Sequence, residues 1–360
     1  MKHVSRKAIG VVCGVAVAGF VVAGATASST TSSRRAASAQ VCVLLPDTKS
    51  SVRWVQFDAP DFAKALKAAG VTYMISNALN DPQRQKAQAQ ACLAAGAKVV
   101  VETALDTGSA VAIEKSFTDK GGFAIDYDRQ VPGGTASAYI TFDGNIVGRL
   151  QANIVLGGLK KEGKYNSKPV VAELWGGQTD QNAFWFKSGN DDVLNPLFSS
   201  GALTKGPQQF VPGWLATNAA TIFAQMLVRT NNKIDAAIAA NDNIAGAVIA
   251  QLKAKHLQPI PLSGQDATAQ GVQYILAGWQ TGTVFKFVPL ETKAAADAAI
   301  ALVKGQKVKT NTTRANGSKK EPTITLPVQW ITKSNYKTLF SEGFLKRSDV
   351  CVGAYAKLCK

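Results

Sequence analysis

Charged, amide and indole side chains recur in this sequence at the points where short apolar runs end. The set comprises Arg53, Trp54, Arg129, Asp180, Asn182, Trp214, Asn241, Asp266 and Lys286. Carboxylates accept hydrogen bonds, Arg and Lys donate them, and Asn does both, so together they match the hydroxyl groups of a polyol. An indole can cover the C–H face of a sugar ring. The sequence therefore predicts a binding site for a free monosaccharide.

Each of these residues also has a purely structural alternative. Asp180 and Asn241 stand where they would cap the following helix, and so does Asp128. Trp54 also fits a hydrophobic core, and Lys286 fits a solvated surface. The collective pattern favours a site, because core packing does not require charged residues at the ends of so many strands.

Alternating strands and helices must position these side chains. Apolar runs of strand length alternate with stretches of helical periodicity from residue 41 onward, and Asp81-Pro82 is typical of a helix start. This alternation predicts an α/β protein with two doubly wound, Rossmann-like parallel-sheet lobes, in which a ligand lies at the carboxyl ends of the strands. Strands are predicted at 41–45, 71–76, 97–102, 123–128, 169–175, 208–212, 234–240, 259–264 and 283–288, and helices at 54–69, 81–96, 109–120, 145–160, 181–195, 216–229, 243–254, 268–278 and 291–304.

The N-terminus has the pattern of a secretory signal peptide over residues 1–27. Three basic residues precede an uncharged apolar run at 9–23, and Ala25-Thr26-Ala27 offers small residues for cleavage. The apolar run is short for a membrane anchor. Residues 28–40 are polar and aperiodic, which predicts a disordered tether. The mature protein is therefore expected in the periplasm or at the outer cell surface.

The chain carries an excess of positive charge, with 40 basic and 24 acidic residues and a net charge of +16. Such an excess can attract nucleic acid. The lysines are spread along the chain rather than clustered on one helix, and an exported protein meets little nucleic acid. We therefore expect a basic, soluble surface and no nucleic-acid partner.

Four cysteines follow the predicted cleavage site, and in an oxidising compartment an even number predicts disulfides. Cys351 and Cys359 are close in sequence and are predicted to pair and clip the C-terminal tail. The pairing of Cys42 with Cys92 stays open, because Cys42 also fits a buried strand. The sequence has no C-x-x-C, and His256 is the one histidine after the cleavage site, so no structural metal site is expected.

Several short motifs resemble those of the periplasmic sugar-binding proteins of ABC transporters, most closely the xylose-binding type. The resemblance runs from about residue 41 to the C-terminus and is specific in the order and spacing of its pieces. They are VRW (52–54), YDR (127–129), TDQNA (179–183), PGW (212–214), NNKIDAAIAAND (231–242), SGQDA (263–267) and TVFK (283–286).

The resemblance implies the type I periplasmic-binding-protein fold, with two lobes joined by a three-segment hinge. The first lobe would take residues 41–141 and 287–324, and the second would take 142–286 and 325–360. It also implies that the nine residues of the predicted site contact the sugar.

Three positions depart from the motifs of that family. Gly144 follows Phe142-Asp143 where the family has asparagine, Gln181 replaces an asparagine, and Phe285 replaces a tyrosine. The change at Gly144 falls near the first crossing between the lobes, so it is expected to affect the hinge more than the pocket. Trp175, Phe184 and Trp185 also make the region around Asp180 unusually aromatic. These changes leave open which sugar binds.

The expected function is the capture of a monosaccharide by hinge closure and its delivery to the membrane permease of an ABC importer. The protein would act as a monomer, without a cofactor, and would meet the membrane only through the permease. A sensor subunit for a chemoreceptor or a receptor kinase would have the same site. A sugar-processing enzyme is the third alternative, but the sequence has no G-x-S-x-G, P-loop, G-x-G-x-x-G or metal motif.

Overall fold

A computed structural model describes residues 38–359 of the chain. The predicted signal peptide, residues 1–27, lies outside the described residues, and so do residues 28–37 of the predicted tether. The tether was predicted to extend to residue 40, and here the prediction is wrong. The backbone N–H of Ala39 donates to Ala95 O, and that of Gln40 donates to Thr72 O, so the fold begins at least one residue earlier. None of the described helices is long and apolar enough to cross a bilayer.

Strands and helices alternate along most of the described chain. The strands are β1 (Val41–Leu45), β2 (Tyr73–Asn77), β3 (Val99–Glu102), β4 (Phe123–Tyr127), β5 (Ala138–Phe142), β6 (Val170–Trp175), β7 (Thr204–Phe210), β8 (Ala236–Ala239), β9 (Gly282–Lys286), β10 (Thr312–Asn316), β11 (Lys319–Leu326) and β12 (Val328–Thr332). The α-helices are α1 (Ala59–Ala68), α2 (Pro82–Ala94), α3 (Thr107–Thr118), α4 (Gly144–Lys161), α5 (Gln181–Ser199), α6 (Ala216–Arg229), α7 (Asp242–Ala254), α8 (Ala269–Leu276), α9 (Val288–Val303), α10 (Thr338–Ser341) and α11 (Arg347–Val350). A π-helical turn, Trp54–Asp58, leads into α1.

Seven strands form one sheet in the order β10-β11-β5-β4-β3-β1-β2, parallel except for the antiparallel β10–β11 hairpin. In β1 the side chains alternate between two cores. Val41, Val43 and Leu45 face α1 and α9, whereas Cys42 and Leu44 face α2 and α3. The continuous apolar run VCVLL therefore reflects a parallel strand that is covered on both faces. We call this sheet with its helices the first lobe.

The second lobe is built around the parallel strands β7-β6-β8. In β8, Ala237 and Ala239 pack in the core with α6 and α7, whereas Ala236 and Ile238 pack in the core with α4 and α5. The antiparallel pair β9–β12 adjoins this sheet through isolated bridges.

One predicted strand of the second lobe, 259–264, is wrong. Only Leu262 in this segment forms a bridge, to Ala237. Pro259 and Pro261 flank Ile260 and lack backbone N–H groups, so the segment cannot form a regular ladder. It runs beside β8 as irregular chain and still delivers Gln265 and Asp266 to the end of the sheet.

The chain passes between the lobes three times. These passages follow β5, which ends at Phe142, β9, which ends at Lys286, and β11, which ends at Leu326. The prediction of a two-lobed, doubly wound α/β fold is confirmed. The predicted boundaries at 141/142, 286/287 and 324/325 stay predictions.

Two disulfides reinforce the fold. Cys351 is bonded to Cys359, as the sequence predicted, and the pair clips the C-terminal tail onto the second lobe. Cys42 is bonded to Cys92, which settles the open pairing and joins β1 to α2. Because Cys42 is a buried strand residue as well as a bonded one, both interpretations of it hold.

Glycines allow α4 and α5 to pack with their backbones almost in contact. A Cβ on Gly148 would lie 2.1 Å from the carbonyl oxygen of Phe186 and 2.8 Å from the backbone nitrogen of Asn190. Gly157, on the same helix, has no atom within 4 Å of its would-be Cβ. Gly148 and Gly157, two of the four glycines of α4, therefore differ in packing although they share a helix.

We expect Gly148→Ala to lower the free energy of unfolding by about 1–3 kcal/mol, because backbone atoms of α5 must move. Gly157→Ala, the matched control, should raise it by up to ~1 kcal/mol through helix propensity alone. Thermal unfolding followed by circular dichroism measures both. A Gly148→Ala protein as stable as the control would contradict this account of the α4–α5 contact.

Candidate functional site

All nine residues of the predicted site line one cleft between the lobes. The residues that line this cleft are all buried, so little of it is open to solvent in this arrangement of the lobes. Its wall also includes five residues that were not in the predicted set, namely Ser50, Ser51, Asp128, Phe186 and Gln265.

The loop after β1 presents Arg53 and Trp54 to the cleft. Asp47 folds this loop by accepting hydrogen bonds from the backbone N–H groups of Lys49 and Ser50. The Trp54 indole donates to Ser50 Oγ at 3.2 Å and is only 3% exposed. Trp54 packs in the core of the first lobe and also lines the cleft, so the core alternative is correct, and its contact with a sugar stays a prediction.

Arg53 is held by three buried acidic side chains. Its guanidinium lies 2.8 Å from Asp58, 2.7 Å from Asp128 and 2.5 Å from Glu291. It also donates to the hydroxyl of Tyr127 at 3.2 Å. These bonds use Nε, Nη2 and one hydrogen of Nη1, which leaves the second Nη1 hydrogen for a ligand. Arg53 is therefore mainly a fixed part of the wall, with one donor to spare.

Glu291 stands in the first turn of α9, five residues after Lys286 but 238 residues after its partner Arg53. Burial raises the pKa of Glu291 from 4.5 to about 8, although Arg53 acts in the opposite direction. At neutral pH the side chain is therefore mostly protonated and accepts from Arg53 through Oε2. The site thus avoids placing a third full negative charge beside one guanidinium.

Asp128 is the central acceptor of the site, and the predicted set missed it. Its carboxylate accepts from Arg53 at 2.7 Å and lies 3.4 Å from Lys286 Nζ. Asn182 donates to its backbone carbonyl at 2.8 Å. Burial alone would raise the pKa of Asp128, but Lys286, Arg53 and Arg129 outweigh it and hold the pKa at about 2. Asp128 is therefore an ionised group shared by both lobes.

The alternative interpretation of Asp128 as a helix cap is wrong. No helix follows it, since the next element is β5, and its φ of 63° places it in the left-handed region that Asp tolerates. The signal that could have identified it was its place inside the YDR motif.

Asp180 and Asn182 begin α5 in the second lobe. Asp180 accepts from the backbone N–H of Asn182 at 2.9 Å, which caps the helix. Its other oxygen lies 3.0 Å from Arg129 Nε, which belongs to the first lobe. Burial raises the pKa of Asp180, and Arg129 opposes that rise. The capping role and the site role therefore coexist in one carboxylate.

Trp214 reaches the cleft from a strained turn. Gly213 and Trp214 have φ values of 61° and 59°. A Cβ on Gly176 would lie 2.0 Å from the Trp214 ring, so the ring sits directly against that backbone. Trp214 also meets Phe186 edge to face, with ring centres 6.1 Å apart. The indole is thus fixed on two sides, and non-glycine strain of this kind is typical of functional sites.

Asn241 and Asp266 complete the second-lobe wall and bond across the cleft. Asn241 caps α7 by accepting from Ile244 N at 2.9 Å, and it donates to Ser50 O at 3.0 Å. Ser51 Oγ donates to Asp266 Oδ2 at 3.0 Å. These interlobe bonds define a closed arrangement of the lobes.

Lys286 is buried rather than solvated, which answers the alternative interpretation of this residue. It is 4% exposed and lies between the carboxylates of Asp128 and Asp266, at 3.4 and 3.7 Å from Nζ. Because Lys286 is also the last residue of β9, it sits where the second passage between the lobes begins.

The assembled cleft offers ionised acceptors, cationic donors and two indoles in a space largely closed to water. This combination is chemically suited to a neutral ring that carries several hydroxyl groups, because charged side chains form strong hydrogen bonds with hydroxyls. Within residues 38–359, no group of three or more His, Cys, Asp or Glu side chains is arranged to hold a metal ion.

The fold and the cleft are those of a solute-binding protein. The family model described as "Periplasmic binding protein domain" matches residues 41–307, and the chain belongs to that family.

Two curated relatives cover most of the chain. It is 34% identical over 300 residues to the D-xylose-binding periplasmic protein of Escherichia coli (strain K12), which covers 83% of this chain and 88% of that protein. It is 32% identical over 320 residues to the multiple sugar-binding periplasmic receptor ChvE of Rhizobium radiobacter, covering 84% of this chain and 89% of that protein.

Two solved structures are also similar. An ABC transporter solute-binding protein from Clostridium phytofermentans with bound β-D-glucose superimposes with a TM-score of 0.80 at 26% identity, covering 86% of this chain and 99% of that chain. A carbohydrate transporter solute-binding protein from Chloroflexus aurantiacus, in complex with D-glucose, has a TM-score of 0.78 at 27% identity, covering 87% and 98%.

The raised pKa of Glu291 predicts a pH-dependent loss of stability. The folded protein holds the proton up to about pH 8, whereas the unfolded chain releases it near 4.5, so folding loses stability as pH rises between these values. Glu291→Gln cannot ionise. We expect the free energy of unfolding of the variant, relative to that of the wild type, to rise by about 2–4 kcal/mol between pH 5 and pH 8.

Chemical unfolding at both pH values measures this gain. Glu162→Gln, a substitution at an exposed site, is the control, and its free energy of unfolding relative to the wild type should be the same at both pH values. If the free energy of unfolding of Glu291→Gln relative to the wild type were also the same at both pH values, the protonated state assigned to Glu291 would be contradicted.

Proposed function

We propose that the chain is the substrate-binding protein of an ABC sugar importer and that it closes around one free monosaccharide. The observation that carries the proposal is the convergence of Arg129, Asp180, Trp214 and Asp266, with Asp128, on one buried cleft. These side chains come from both lobes, so a ligand that satisfies them bridges the lobes. The chain's own groups provide binding and orientation, and the sugar leaves chemically unchanged.

The chemistry of the cleft favours a neutral polyol over a charged ligand. Asp128, Asp180 and Asp266 are balanced inside the cleft by Arg53, Arg129 and Lys286. A charged ligand would leave one of these groups without a counter-charge in a site of low dielectric. A neutral ring accepts and donates without disturbing the balance. The two indoles then cover its apolar faces.

The small size of the closed cleft favours a single sugar unit as the ligand. All of its lining residues are buried, and little free space remains between them. We therefore assign aldopentoses such as D-xylose, or aldohexoses such as D-glucose, as the substrate class. Relatives named for D-xylose or for multiple sugars, and similar structures holding D-glucose, support this range.

Hinge closure is the proposed mechanism. The free protein samples open and closed forms, and the sugar stabilises the closed form because it binds residues of both lobes. The lobes meet at the proposed boundaries 141/142, 286/287 and 324/325. The exported protein then presents its closed form to the permease, which reads the relative position of the lobes.

A sensor subunit is the second candidate, because the relative from Rhizobium radiobacter is named a receptor. It would use the same nine residues and the same closure, with a membrane sensor in place of the permease. Affinity capture of the sugar-loaded protein on each membrane component separates the two candidates.

A thermal-shift screen with free monosaccharides tests the proposed substrate class. A ligand that binds the folded form raises the melting temperature by mass action, by an amount that grows with the ratio of its concentration to Kd. We expect D-xylose or D-glucose to raise it, and maltose to leave it unchanged because a disaccharide exceeds the cleft. A panel of pentoses and hexoses without any shift would contradict the proposal.

Replacing a cross-cleft charge should weaken sugar binding. We expect Asp266→Asn and Arg129→Ala each to raise Kd at least tenfold, or about 1.4 kcal/mol, because a sugar hydroxyl loses a charged partner. Lys293→Ala, which removes an exposed i,i+4 pair with Asp297, is the matched control and should leave Kd unchanged. Calorimetry measures all three variants. Unchanged affinity in both site variants would rule out this cleft as the sugar site.

A further inference from the structure

Outside the cleft, Arg314 is a cation of the described chain that contacts the opposite lobe. The Arg314 guanidinium, on β10 of the first lobe, lies 4.9 Å from the ring centre of Trp185, on α5 of the second lobe. Its Nη2 is 3.4 Å from Asp143 Oδ2, and its side chain is 15% exposed. We call Arg314, Trp185 and Asp143 the interlobe clasp. None of the three lines the sugar cleft.

The clasp sits on elements that also carry the cleft. Trp185 follows Asn182 by three residues on α5 and directly precedes Phe186, which lines the cleft. Asp143 caps α4, accepting from the backbone N–H groups of Asn145 and Ile146, immediately after the first passage between the lobes. A shift of α5 away from the first lobe would therefore open the cleft and break the Arg314–Trp185 contact together.

Gly144 makes room for the clasp. A Cβ at this position would lie 2.6 Å from the Trp185 Cβ and 3.3 Å from its Cγ. A side chain on residue 144 would push the start of α5 outward and carry the indole away from Arg314. Gly144, where the family has asparagine, and the aromatic side chain of Trp185 therefore belong to one packing arrangement.

We propose that the interlobe clasp stabilises the closed form independently of the sugar and so sets sugar affinity from outside the pocket. A guanidinium over an indole gains free energy only while the two lobes are together. It therefore shifts the equilibrium toward the closed form in free and loaded protein alike. Arg314 and Trp185 are positioning residues, since neither touches the ligand. The consequence for sugar affinity rests on the proposed function; the effect on closure does not.

Distance measurements between the lobes test the clasp without any sugar. Gln83→Cys and Thr217→Cys place nitroxide labels at two exposed positions on opposite lobes. Pulsed electron paramagnetic resonance then measures the distances between the labels and so the ratio of closed to open forms. We expect Arg314→Gln and Trp185→Leu each to lower this ratio about two- to tenfold. The double variant should fall no further than the stronger single variant, because both remove one contact.

Arg149→Gln is the matched control, since Arg149 pairs with Asp192 between α4 and α5 within one lobe. It should leave the ratio unchanged. Equal ratios in the wild type and the clasp variants, additive effects in the double variant, or a wild type without any closed population would each overturn the clasp. Melting temperatures of the variants identify any loss of folding, and Arg314→Lys, which keeps a cation, should restore part of the ratio.

The kinetics of D-xylose and D-glucose binding provide a second, separate test of the clasp. In the clasp variants we expect the sugar to dissociate about two- to tenfold faster, with little change in its association rate, because closure follows capture. If no sugar binds the wild type but the lobe distances respond as expected, the clasp stands and the proposed function fails. If sugar binds and neither the distances nor the dissociation rate respond, the clasp fails alone.

Discussion

The cleft depends on a balance of charge among buried acidic and basic side chains. Arg53 and Lys286 together hold Asp128 ionised, with a pKa of about 2, while Glu291 keeps its proton because burial outweighs the same arginine. Those four residues come from the loop after β1, the end of β4, the end of β9 and the start of α9. A balance of this kind exists only when both sheets and at least one passage between them are formed. The charge network thus makes the site a property of the closed protein rather than of either lobe.

Two residues that cap helices of the second lobe also contact the first lobe. Asp180 fixes the first turn of α5 while it faces Arg129, and Asn241 fixes α7 while it bonds to Ser50. A capping side chain has little rotational freedom left. The cleft-facing side chains are therefore oriented in advance, so a ligand that contacted them would cost less side-chain entropy. The strained turn at Trp214 gives the indole the same fixed orientation.

Much of this could be predicted from the sequence because the signals were local. The apolar run 41–45 and the Asp81-Pro82 start gave correct elements, and the polar residues at strand ends do converge. The missed parts have non-local causes. Strand β10 has no apolar run and β11 has only Ile324 and Leu326 near its end, so the β10–β11 hairpin and the pairing of β11 with β5 are visible only in the fold. Glu291 joins Arg53 across 238 residues of sequence, and no spacing rule connects them.

The placement of the disulfides has a consequence for motion. Cys42–Cys92 ties a strand to a helix inside the first lobe, and Cys351–Cys359 ties the tail to the second. Neither covalent bridge spans a passage between the lobes. Each lobe is cross-linked internally, while in residues 38–359 the two lobes are joined only by the three passages of the backbone and by non-covalent contacts. Disulfide formation in an oxidising environment can therefore stabilise each lobe without restricting the motion of one lobe relative to the other.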